Sequence, residues 1–93
     1  LDVAIKEINK LYGNNNVLLV QLPHKVGSPN NSELEFTKNL RNLSNNKIIN
    51  LWEICPLQRS DFHTLDNHPN VEGYRKIKSC ISVNNDISNF IKQ

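Results

Sequence analysis

The sequence predicts an α/β protein in which two parallel strands alternate with three to four helices. Three observations predict it. Apolar residues recur at helical spacing near the start, before the middle and near the end of the chain. Two short apolar runs without alternation lie between those stretches, the pattern of strands buried on both faces as in a parallel sheet. Gly, Pro and Asn punctuate the joints, and strands alternating with helices imply crossover connections.

In order, Ala4, Ile5, Ile8, Leu11 and Tyr12 share one face of a first helix, with Lys6, Glu7 and Lys10 largely opposite. Gly13 closes it, since glycine tolerates the left-handed backbone of a helix end, and residues 14–16 turn the chain. Residues 17–22 form the first strand, stopped by Pro23, and residues 24–31 are a loop. A second helix begins at Asn31 or Ser32, where Ser32 and Glu35 fit a capping box and Leu34, Leu40 and Leu43 supply the inner face. After a turn at residues 44–46, residues 48–54 read as the second strand, ended by Pro56. Asn70 caps a third helix from Val71, with Tyr74, Ile77, Cys80 and Ile81 on one side. Asn84 and Asn85 break it, and Asp86 caps a short last helix holding Ile87, Phe90 and Ile91. Trp52 and Phe36 are expected in the core.

At 93 residues the chain is one domain at most, here residues 1–93 as a single partial domain. Two strands buried on both faces do not make a self-sufficient sheet, so something is expected to flank them. The net charge of +2 is spread along the chain, which gives no basic stripe for nucleic acid. No apolar run approaches the ~20 residues that span a bilayer, so neither nucleic acid nor membrane is expected as a partner. No signal peptide opens the chain, which leans the expectation weakly toward the cytoplasm, an expectation that Leu1 in place of Met weakens because it suggests a cut or processing boundary. Cys55 and Cys80 have no metal or redox spacing; buried free thiols are favoured over a disulfide.

The chemistry-bearing stretch is residues 59–77, RSDFHTLDNHPNVEGYRKI. His68 lies on the loop that feeds the third helix, stiffened by Pro69, and histidine is the side chain whose unperturbed pKa suits proton transfer near neutrality. His63, Asp66 and His68 do not form a metal set, because a His pair spaced along a loop does not fix three or four convergent ligands. His24 and Lys25 follow the first strand, at the carboxyl end where open α/β sheets bind ligands, and could line the same cleft as His68.

The string HPNVEGY resembles the last conserved block of the SGNH (GDSL-type) hydrolases, in which the catalytic His is followed by a small or apolar residue, Asn, two variable residues, Gly and often Tyr. The longer RSDFHTLDNHPN is similar to SGNH-type domains of insect and retroelement-related open reading frames. The family's catalytic Asp normally stands three residues before the His; here that position is Leu65, with Asp66 two before and Asp61 seven before. The resemblance implies a partial three-layer α/β/α, flavodoxin-like sandwich, of which this chain is the C-terminal half. It implies a serine esterase or acyl-hydrolase with His68 as general base, oriented by Asp66 or, less readily, by Asp61. No serine here sits in a Gly-Asp-Ser motif, so the nucleophile and oxyanion blocks lie outside the chain, which alone is expected to be inactive. No metal or organic cofactor is implied. The expected partners are the N-terminal half of the same fold or a second copy, with a small ester as substrate. The alternative is a non-catalytic α/β module kept for assembly or interaction.

Overall fold

A computed structural model describes residues 2–44, 46–66 and 68–92. Helix α1 (Asp2–Tyr12) turns through a short 3-10 segment (Asn14–Asn16) into strand β1 (Leu18–Gln21); helix α2 (Asn31–Ser44) then crosses over to strand β2 (Lys47–Asn50). The short helix α3 (Leu51–Ile54), a 3-10 turn (Arg59–Asp61), helix α4 (Val71–Val83) and helix α5 (Asn85–Ile91) complete the chain. The two strands pair in parallel, Leu18 beside Lys47 through Gln21 beside Asn50. Mixed α/β character with two parallel strands is therefore as expected.

Alternation assigns the faces. Leu19, Gln21, Ile48 and Asn50 share one, where the Thr37 hydroxyl of α2 donates to the Gln21 side chain and Asn50 Nδ2 donates to Thr37 Oγ1 at 3.4 Å. On the other, Val20 packs against a core of Leu51, Cys55, Leu57, Phe62 and Ile77, joined by Cys80 and Ile81, and Lys47 pairs with Asp86 of α5 at 3.0 Å. Helices thus lie against both faces. At the foot of the sheet Asn9 and Asn46 exchange side-chain amide bonds of 2.7 and 2.9 Å, and Asn46 also donates to the Val17 carbonyl, which ties α1 to the start of both strands.

Several expectations are corrected. The second strand does not run to residue 54. It stops at Asn50, whose side chain accepts the Glu53 amide at 3.1 Å and so caps α3, burying Leu51 and Trp52 completely. The first strand is half-buried throughout rather than covered on both faces. Phe36 is 51% exposed, not core, and Leu11 and Tyr12 are likewise exposed. Helix α2 is capped by a box two residues earlier than expected: Asn30 Oδ1 accepts the Glu33 amide while Glu33 Oε1 accepts the Asn30 amide. Asn84, not Asp86, caps α5, accepting the Ile87 amide at 3.0 Å. Cys55 and Cys80 are not free thiols; they form a disulfide across Cα atoms 6.4 Å apart, joining the end of α3 to α4. Gly13 does close α1, with φ of 83° and its amide on the Asn9 carbonyl. The Leu43 side chain and Asn45 lie outside what is described.

Candidate active-site loop

Residues 59–70 form a closed loop in front of α4. Its base is polar and buried. The Asp61 carboxylate, 2% exposed, accepts the Gln58 amide and the Lys76 ammonium, both at 2.8 Å. Lys76 first, and then the Gln58 amide, hold that carboxyl below the ordinary range despite its burial. The Asp61 carbonyl accepts the Asn70 amide at 2.8 Å. Asn70 is the hub between loop and helix: Nδ2 donates to the Ser60 and Phe62 carbonyls, and Oδ1 accepts the Gly73 amide. A Cβ at Gly73 would stand 2.3 Å from the Asp61 carbonyl oxygen, so only glycine lets α4 approach the loop this closely.

Above that base the chain narrows. Phe62 bridges Pro69 in antiparallel fashion, the His63 amide donates to the His68 carbonyl at 3.0 Å, and the Arg59 guanidinium donates to the carbonyls of His63 and Thr64. Asp66 and His68 emerge at the outer end. Asp66 Oδ1 accepts the His68 backbone amide at 2.9 Å and lies 3.3 Å from His68 Nδ1, a long hydrogen-bonding distance. The His68 amide, and after it the charge of the His68 and His63 rings, keep the Asp66 carboxyl below its ordinary value, against an opposing pull from desolvation. The His68 side chain is 78% exposed.

The sequence-predicted pair His68 and Asp66 is therefore brought together. Asp61 is not placed to orient His68, since its carboxylate is committed to Lys76 and Gln58. Asn67 lies outside the described residues. Among the described residues no serine hydroxyl is hydrogen-bonded to His68, and no three His, Cys, Asp or Glu side chains converge as metal ligands.

His24 and Lys25 do stand at the carboxyl end of β1, but they engage α2 and α3 rather than the His68 loop. Lys25 Nζ is 2.9 Å and His24 Nε2 3.7 Å from the Glu33 carboxylate, and the His24 ring lies 4.4 Å from that of Trp52. Trp52 in turn donates from Nε1 to the Gly27 carbonyl at 2.7 Å. Desolvation pushes the Glu33 carboxyl up, yet the Asn30 amide and Lys25 together leave it lowered. Glu33, Asn70's triple role and Gly73's close approach were missed as elements of the site's frame. The Asn-x-x-Glu spacing of residues 30–33 carried the first of these in plain view.

Compared with family models, curated proteins and solved structures, the chain matches none.

Proposed function

We propose that this chain is the base-bearing segment of an SGNH-like serine esterase or acyl-hydrolase, built as the C-terminal half of a flavodoxin-like three-layer sandwich. His68 is the general base and Asp66 its orienter, and the serine and oxyanion donors come from outside these 93 residues. The observation that carries the reading is the single Asp66 oxygen that faces both the amide and Nδ1 of His68. An anion on Nδ1 leaves Nε2, on the far side of the ring, as the basic nitrogen.

In the completed site Nε2 takes the proton of the serine hydroxyl as its oxygen attacks the ester carbonyl, and the imidazolium so formed is stabilised by Asp66. The same proton then passes to the departing alcohol as the acyl-enzyme forms. Water repeats the two steps, its proton going first to His68 and then to the serine oxygen as the acid leaves.

The test is hydrolysis of a short-chain aryl ester by the isolated chain and by a form extended with its natural upstream sequence, each with and without His68→Ala. Activity confined to the extended form, and reduced by at least ~100-fold in His68→Ala, is the expected result. Equal activity with and without His68 rejects the role. A second reading, a non-catalytic assembly module, is favoured by Leu65, which stands 98% exposed at the tip of the same loop, where a docking contact needs it and a catalytic loop does not. Inactivity of the extended form would select it.

A further inference from the structure

Two features of the chain lie outside the chemistry assigned to His68. One is covalent: Cys55 and Cys80 are joined, with Cys55 only 8% exposed in the core that α3 and α4 share. A disulfide forms and persists in oxidising compartments and is rare where glutathione and thioredoxin keep thiols reduced. It therefore favours the secretory route over the cytoplasm. The other is a motif. Residues 30–32, Asn-Asn-Ser, have the acceptor spacing for N-linked glycosylation, a modification of that same route.

In a chain this rich in asparagine the spacing alone carries little, and the structure separates Asn30 from the rest. Asn9, Asn16, Asn46, Asn50 and Asn70 each spend their side-chain Nδ2 on a hydrogen bond. Asn30 uses only the other side of its amide. Its Oδ1 accepts the Glu33 amide at 2.9 Å, and among the described residues its Nδ2 donates to nothing. Asn30 and Ser32 are both exposed, at the joint between the loop of residues 22–30 and α2. A sugar on Nδ2 leaves Oδ1 its lone pairs, so the cap of α2 survives the modification. From that joint an open groove of about 520 Å³ runs along α2, lined by Asn31, Ser32, Glu35, Phe36 and Asn39. It would offer the first sugars a ring face, amides and a carboxylate. Residues 42–44, Asn-Leu-Ser, have the same spacing, but Asn42 lies within α2 rather than on a surface loop.

We propose that Asn30 carries an N-linked oligosaccharide, transferred from a lipid-linked pyrophosphate donor. In the transfer Nδ2 bonds to C1 of the first sugar, and the bond from C1 to the pyrophosphate oxygen breaks. The Nδ2 proton goes to a base of the transferase, and the lipid pyrophosphate leaves with the electron pair. No oxidant or reductant enters.

The glycan is read without ester hydrolysis, so this inference and the role given to His68 fail separately. The test takes the natural full-length protein from the cells that make it and treats it with peptide N-glycosidase, which turns a glycan-bearing asparagine into aspartate. The expected result is a downward gel shift, with the mass gain of one deamidation in the peptide that holds Asn30. Tagged variants made in the same cells assign the site. Ser32→Ala, which leaves the Asn30 cap in place, should lose that mass gain completely, and Ser32→Thr should retain it. Asn30→Asp, which keeps an oxygen for the cap, should lose it as well and decides if Ser32→Ala does not fold. No glycosidase shift in the natural protein overturns the proposal, as does a mass gain found at Asn42 and not at Asn30. Free thiols at Cys55 and Cys80 in the same preparation overturn it too, because the chain would then have been made in a reducing compartment.

Discussion

Residues 2–50 and residues 51–92 are held together by different means. The first half spends its length on a two-stranded sheet and two helices, yet β1 is half-buried and Ile8, Leu11, Tyr12 and Phe36 are left exposed. Its ties are amide pairs at the foot of the sheet and the Thr37 contacts at the top. Among the described residues the second half has no sheet of its own but closes on itself: a disulfide, a buried carboxylate on a lysine, an asparagine hub and a core centred on Leu51, Leu57, Phe62 and Ile77. Secondary structure and self-sufficiency are therefore separate properties. The half that carries the candidate chemistry is the more firmly built, as a loop that must aim a side chain requires.

Among the polar and covalent ties of the second half, the largest expected effect comes from cutting the disulfide. The disulfide closes residues 55–80, a separation of 25, and chain-entropy arguments assign about 3 kcal/mol to a loop of that length. Replacing both cysteines by alanine, or reducing them, should lower stability by that amount in urea titration. Alkylation of the untreated protein should find no free thiol. A loss below about 1 kcal/mol would mean that packing alone holds this half, and the contrast between the halves would shrink. Next in size is Gly73→Ala. Its Cβ would meet the Asp61 carbonyl at 2.3 Å and Pro69 Cβ at 2.9 Å, and forcing α4 off the loop should cost about 2 to 3 kcal/mol. Because that shift moves Asn70 too, the His68 resonances should move with it. A neutral Gly73→Ala would place the helix farther from the loop than described.

Smaller, and dependent on pH, is the Asp61 pair. Its carboxyl lies below its ordinary value in the folded chain, so the unfolded chain binds the proton first as pH falls. The stabilisation is therefore fully present above pH about 4 and is lost as pH drops through the folded value. Asp61→Asn should cost about 2 kcal/mol at neutral pH, less a discount for the half-exposed Lys76, and should flatten the stability profile below pH 4. Glu33 and Asp66 are shifted in the same direction, but Asp61, at 2% exposure the most buried of the three, is taken as the main source of the slope. An unchanged acid profile in Asp61→Asn would remove the buried pair from the account of why this half is rigid.

What the sequence revealed, and what it concealed, follows the same division. Parallel pairing, α1, β1 and the Asn70 cap were legible, because periodicity and capping are local signals. The meeting of Asp66 with His68 was legible as chemistry at short range, two residues apart along a loop. The end of β2 was not. KIINLWEI reads as one apolar run, and the side chain of Asn50, which caps the following helix, outcompeted the strand propensity of Leu51 and Trp52. The disulfide was hidden because its partners are joined only by the packing of α3 on α4, and spacing carries no trace of that. Asp61, named from the sequence only as a less ready orienter of His68, is buried because a lysine fifteen positions later in the helix reaches it. Phe36 misled in the opposite direction: an apolar residue on a helix is core only if something covers that face.

That residue gives the smallest expected effect and the sharpest contrast. Phe62 and Phe36 are chemically identical, one 4% and the other 51% exposed, one in each half. Removing the first should cost about 3 to 5 kcal/mol, the ordinary loss for a buried phenylalanine cut to alanine. Phe36→Ser in the same chain should change stability by no more than about 0.5 kcal/mol, because the ring has little buried contact to lose, and should weaken binding of a hydrophobic dye. Should Phe36→Ser instead destabilise as Phe62→Ala does, the face of α2 that carries Phe36 is already covered in solution. The first half would then be as closed as the second, and the comparison between them would fall.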